Sequence, residues 1–199
     1  MEGGRIKGVT DVTSLVLRLP RDVPGAGEEA YRLFTEEGGG GMLIFSPPGV
    51  GKTTLLRDLC RRLATGEGAR RVAVIDSRGE LSGGYGKLAL IDVLFGYPKA
   101  EAIEIAVRTL SPEVVAVDEI ASRREAEAVL SVAGGGVPLS ATTHAATLAE
   151  ALARPAVKPL LRAGIFRLVL GLRREGERVV TDAYRPFREG QAKGGSDPC

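Results

Sequence analysis

Residues 46–54 read Ser46-Pro47-Pro48-Gly49-Val50-Gly51-Lys52-Thr53-Thr54, between a short apolar run at 42–45 (MLIF) and an amphipathic run at 52–64 (KTTLLRDLCRRLA). In the second run Leu55, Leu56, Leu59 and Leu63 share one helical face, with Arg57, Asp58, Arg61 and Arg62 opposite. Strand, Gly-rich turn and helix in that order form the context in which the Walker A pattern carries chemistry. Its glycines let the backbone curl until N–H groups converge on phosphate oxygens, and the helix N-terminus adds partial positive charge. The whole stretch is expected to cradle a nucleotide's phosphates. Lys52 would reach the β- and γ-phosphates, and the Thr53 hydroxyl would coordinate magnesium. The pattern's first glycine is Ser46 here, an exchange that holds if the backbone dihedrals there are ordinary.

Outward from this turn, apolar runs alternate with helical ones. Residues 72–75, 114–117 and 138–142 predict strands, and 99–110, 123–132, 147–152 and 156–163 predict helices. Residues 165–172 and 178–184 predict an antiparallel pair turning at Glu175-Gly176. Upstream, 9–19 alternates well enough for a strand and 28–37 reads as a short helix. The tetraglycine at 38–41 stops that helix and predicts a flexible joint. Apolar strands between helices predict an α/β fold: a mainly parallel central sheet flanked by helices, with a C-terminal antiparallel strand pair. The polar, Gly-rich residues 190–199 predict a disordered tail.

Ligands of such sheets sit at the carboxyl ends of the strands. The run 114–119 (VVAVDE) has the form of a Walker B strand. Asp118 would join Thr53 in holding magnesium, and Glu119 would orient and polarise an attacking water. The plain alternative is that both acids cap the helix that follows. The run 76–80 (DSRGE) closes another strand and brings Asp76 or Glu80 toward the γ-phosphate, unless it is simply an exposed charged loop. Thr142-Thr143-His144 follows the fourth strand, where a hydroxyl and an imidazole could serve the γ-phosphate or Glu119; an ordinary, structurally satisfied histidine competes evenly with that role.

Composition narrows the classes. A net charge of +2 gives no strong nucleic-acid or membrane signal, and 5 % aromatic residues argue against a base-stacking platform. The cysteines are Cys60, in a helical pattern, and Cys199, so neither a disulfide framework nor a cysteine metal site is expected. His144 is the single histidine, which excludes a multi-histidine zinc site. No stretch approaches the roughly 18 apolar residues of a membrane helix, and Met1-Glu2-Gly3-Gly4 lacks the shape of a signal peptide. The expected location is cytoplasmic, peripheral at a membrane only through partner subunits.

The stretches SPPGVGKTTLLRDLCRRLA, VIDSRGELSG, DVLFGYPKAEAIEIAVRTLSPEVVAVDEI and TTHAATLAEALARPAVKPLLRAGIFRLVL, in this order, resemble the sporulation stage III AA family of ATPases, over about residues 5–187. More broadly they are similar to type II and type IV secretion ATPases and pilus motors. The resemblance implies a RecA-like P-loop NTPase that uses ATP and Mg2+. It also implies a homo-oligomer, a hexameric ring with nucleotides at subunit interfaces. Implied partners are membrane channel proteins of a sporulation complex joining mother cell and forespore. DSRGE would correspond to the acidic box and TTH to the histidine box. Ser77 stands where the family usually has glutamate, which moves the expected secondary catalytic acid to Glu80 and leaves His144 as the histidine-box residue.

Against that family the chain looks short at its N-terminus. Residues 1–37 would be the last strand and helix of an N-terminal domain and 38–189 the P-loop ATPase domain. Arg108, with Arg18, Arg123 and Arg124, would be the candidates to act across an interface, each competing with a plain solvated role. Two other readings compete: a nucleotide-gated single-stranded nucleic-acid-binding protein, and an ATP-binding scaffold with little turnover.

Overall fold

The computed structural model describes residues 11, 13–14, 23–82, 85 and 89–186. The strand expected over 9–19 (almost entirely), Arg18 and the tail from Gly190 lie outside the described residues. In chain order the elements are α1 (Glu28–Glu36), β1 (Met42–Ser46), α2 (Lys52–Leu63), β2 (Val72–Asp76), β3 (Ile91–Phe95), α3 (Lys99–Ile105), β4 (Val114–Val117), α4 (Arg123–Val132), β5 (Leu139–His144), α5 (Leu148–Ala153), α6 (Lys158–Arg162), β6 (Leu168–Glu175) and β7 (Arg178–Tyr184). A wide π-turn at Ala106–Leu110 follows α3, so the helix expected over 99–110 widens in its second half.

The seven strands form one sheet in the order β3-β2-β4-β5-β1-β6-β7. All neighbours run parallel except β6 and β7, which pair antiparallel. Because side chains alternate along a strand, each central strand feeds two cores. Leu43, Phe45, Val115, Val117 and Ala141 face Ile103, Val129, Leu160 and Phe166. Met42, Ile44, Val74, Val114 and Ala116 face Phe34, Leu56 and Leu59. β1, β2 and β4 are buried along their whole length, as parallel strands covered on both faces must be.

Register brings the chemistry together. Ser46 pairs with His144, Ile75 with Val117, and Val117 with Ala141. The carboxyl ends of β1, β2, β4 and β5 therefore place Ser46, Asp76, Asp118 and His144 on one rim of the sheet.

Within the tetraglycine, Gly39, Gly40 and Gly41 are packed closely. Gly38 and Gly39 take φ of +71° and +72°, closing α1. A Cβ on Gly40 would stand 2.5 Å from the Arg167 side chain, and one on Gly41 only 1.9 Å from the Ile165 carbonyl oxygen. The Gly41 carbonyl also accepts the amides of Arg167 and Leu168. Glycine here answers a demand for space between β1 and β6.

Candidate functional site

The loop 46–51 curls between β1 and α2. Ser46 remains a strand residue without a positive φ, whereas Gly49 (+77°) and Gly51 (+122°) take the conformations that need glycine. Gly51 caps α2 without a side-chain hydrogen bond, so the first amides of a 12-residue helix are left for a ligand. Above them opens a cleft of about 710 Å³. Pro48, Gly49, Gly51, Lys52, Thr53 and Thr54 line one side, and Arg57, Arg78, Gly79 and Glu80 another. Asp118, Glu119, Thr142 and His144 complete the wall. Ser46 and Pro47 act from behind Lys52, and Val50 packs on the core.

Lys52 is 6 % exposed. Its Nζ donates to the Ser46 carbonyl (2.9 Å) and the Pro47 carbonyl (3.1 Å), and contacts Ser46 Oγ (3.1 Å) and His144 Nδ1 (3.0 Å). Burial pulls this ammonium below its ordinary range, against the pull of Glu119 and Asp118. An ammonium has no acceptor, so Nδ1 of a neutral His144 accepts and the ring proton lies on Nε2. That nitrogen faces Glu119 Oε2 at 3.6 Å. Lys52, His144 and Glu119 thus form a line from the 46–51 loop to the acidic strand end.

Asp118 Oδ1 receives the hydroxyls of Thr53 (3.3 Å) and Thr142 (3.4 Å). Burial pushes its carboxyl up, and Glu80 and Asp76 push the same way; Lys99 and the Thr53 hydroxyl oppose them. A buried carboxylate beside further acids and a hydroxyl is a donor set that a hard divalent cation would stabilise. Among the described residues no three acids, cysteines or histidines converge into a protein-only metal cage. Magnesium commonly takes only one or two protein oxygens and finds the rest in water and phosphate, so Thr53 and Asp118 suit it.

Glu119 sits at φ +57°, a left-handed backbone that few glutamates adopt. Its amide donates to Thr142 Oγ1 (2.9 Å), and its carbonyl accepts Lys99 Nζ (2.6 Å). The carboxylate lies between His144 Nε2 and Arg78 Nη1, the latter at 3.5 Å. A helix cap is supplied by other residues: Ser122 and Glu125 form the capping box of α4. Asp76 is fully buried and accepts five amides, those of Arg78, Gly79 and Glu80 on Oδ1 and of Leu81 and Ser82 on Oδ2. It organises the loop, and Glu80 is the acid of that segment that lines the cleft.

Arg108 does not line the cleft; it lies in the π-turn, 68 % exposed, 3.8 Å from Glu104. Arg123 and Arg124 are likewise exposed, beside Glu127 and Glu101. Sequence reasoning missed Arg57, Arg78 and Lys99. The helical pattern puts Arg57 on the polar face of α2, yet it is 5 % exposed and donates to the Glu80 carbonyl. The readable signal for Arg78 was its position inside DSRGE, between the strand-ending Asp76 and Glu80, the acid that lines the cleft.

Fold and site together define a RecA-like P-loop protein built like the secretion and pilus motor ATPases. The pilus retraction motor PilT, solved with ADP, superposes with a TM-score of 0.64 at 19 % identity, covering 88 % of this chain and 56 % of that one. The VirB11 ATPase of the Brucella suis type IV secretion system, solved with sulphate, gives 0.56 at 16 % identity, covering 79 % and 55 %. The chain belongs to the family sporulation stage III, protein AA, which matches residues 1–185. Stage III sporulation protein AA of Bacillus subtilis (strain 168) is 33 % identical over 195 residues, 92 % of this chain. The chain spans 63 % of that relative's length.

Proposed function

We propose that this chain binds ATP with magnesium and hydrolyses it, working as an oligomer within a sporulation complex at a membrane. The carrying observation is Glu119, turned by a left-handed backbone into a cleft that also holds Lys52 and the Thr53–Asp118 pair. The 46–54 loop would bind the phosphates through its amides and Lys52. Thr53 and Asp118 would hold magnesium, which supplies charge neutralisation on the phosphates. Glu119 would accept the proton of the attacking water as its oxygen bonds to the γ-phosphorus and the bond to the β-phosphate oxygen breaks. His144 would support Glu119 from its Nε2 side, and Glu80 would be the secondary acid. No helix among the described residues is long and apolar enough to cross a membrane. In this reading a membrane location would come through partner subunits, the channel proteins of the complex.

Magnesium-ATP turnover per chain, measured over a wide range of protein concentration, tests this reading. The expected rate rises with concentration, because catalysis completes at subunit interfaces. Glu119→Gln is expected to bind ATP as tightly and to lose turnover by ~100-fold or more. Turnover preserved in Glu119→Gln would remove Glu119 from its role. A flat, low rate with intact binding would favour a nucleotide-dependent scaffold.

A further inference from the structure

We propose that Arg78 is a further catalytic residue, an arginine supplied by the same chain that engages the terminal phosphate of the nucleotide it binds. The proposal rests on the ATPase reading above and adds a group to it. A triphosphate brings several negative charges into the cleft, and three lysine or arginine side chains line it among the described residues: Lys52, Arg57 and Arg78. Lys52 is buried and donates to loop carbonyls and His144. Arg57 is buried as well, and its guanidinium is built into the wall through the Glu80 carbonyl. Arg78 is 57 % exposed, and its Nη1 stands 3.5 Å from Glu119 Oε2.

The root of this side chain is held firmly. Its amide donates to Asp76 Oδ1, and the next four amides are anchored on the same carboxylate. Gly79 turns the loop at φ +74°, with the Phe95 ring 3.3 Å from where a Cβ would stand. A fixed root with an exposed guanidinium suits a group that must change partners without a loop rearrangement.

The present partner is one that can be given up. The guanidinium is mostly in solvent and its one contact with the half-buried carboxylate is 3.5 Å long, a weak pair, whereas a guanidinium on phosphate oxygens can make two charge-assisted hydrogen bonds. The exchange has a chemical consequence. While the Arg78 guanidinium holds the Glu119 carboxylate, that oxygen is not open to hydrogen-bond an attacking water. With a diphosphate bound, Arg78 would stay on Glu119. A γ-phosphate would draw it off, leaving the base free only when there is a bond to break. Arg108, Arg123 and Arg124 are outside the cleft and paired on the outer surface, so none of them offers this exchange within one chain.

The test compares equilibrium binding of ADP and of a non-hydrolysable ATP analogue, with magnesium, in the wild-type chain, Arg78→Ala and Arg78→Lys. Arg78→Ala should leave ADP affinity within about twofold, weaken the analogue by about tenfold or more, and lower kcat by about 100-fold or more. Arg78→Lys should fall between, since lysine keeps the charge and loses the fork. Mixing Arg78→Ala with Glu119→Gln chains should not restore turnover, because both groups serve one chain's nucleotide. An unchanged ratio of analogue to ADP affinity in Arg78→Ala overturns the proposal, and turnover restored by mixing overturns its action within one chain. Failure of the wild-type chain to bind either nucleotide sinks the ATPase reading itself.

Discussion

Thr142 shows how much one hydroxyl can organise. Its Oγ1 accepts the amide of Glu119 and donates to Asp118, so the two acids of the 118–119 pair are oriented from one atom on the neighbouring strand. Lys99 closes the arrangement through the Glu119 carbonyl. Thr142→Val keeps the shape and removes both bonds, leaving the half-buried Glu119 amide without its acceptor. We expect nucleotide affinity to change little and kcat to fall by ~10- to 100-fold, read from steady-state turnover beside equilibrium binding. The pairing of Thr142 with the acids was only half legible in the sequence. TTH stood out after a core strand, but which hydroxyl meets which acid depends on the β4–β5 register. Asp76 was harder still, because nothing local says that a carboxylate will collect five amides from the loop behind it.

At the scale of elements, α1 is tied to α2 through Asp58. This carboxylate is 1 % exposed, accepts the amides of Gly25 and Gly27, and pairs with Arg61 and Arg62. Burial alone would raise its pKa; the Gly27 amide and the two guanidiniums outweigh that and hold it below the ordinary value. A depressed folded pKa gives stability that is present above the unfolded value, about 3.9, and is lost as pH falls through the folded one. Asp58→Asn should therefore cost about 2–3 kcal/mol at pH 7, and the gap to wild type should shrink below about pH 4. Denaturant midpoints at the two pH values check this. In the sequence Asp58 sat among arginines on the polar side of a leucine stripe, so it read as solvated. It is buried because α1 covers that side, which an isolated helical wheel does not show.

Across the whole molecule, the alternation of apolar runs and helices was sufficient for the α/β class and for the terminal antiparallel pair. Three of the parallel strands, β1, β2 and β5, run a residue or two past their expected carboxyl ends, and Ser46, Asp76 and His144, at those ends, stand on the rim of the candidate site. β3 escaped notice because it is an edge strand with Asp92 exposed and no fully buried residue, so it lacks the uniform apolar signal of its neighbours. Its place beside β2 puts Phe95 against the Gly79 turn and so supports the loop that carries Arg78. The strand, glycine turn and helix around residues 46–54 were legible because they are contiguous in sequence. The opposite wall of the cleft comes from β2, β4 and β5 and exists only once the sheet order is known.

Under the hydrolytic role proposed above, the left-handed backbone of Glu119 is a place where durability is given up for turnover. A non-glycine residue in that region costs of order 1 kcal/mol or more, and asparagine bears the conformation better than glutamate. Glu119→Asn should raise the melting temperature by ~2–4 °C while abolishing hydrolysis, since a gain of about 1 kcal/mol shifts a domain of this size by that much. Selection for heat resistance alone would then favour asparagine at this position, so in the proposed role the glutamate is kept for work at the expense of rest.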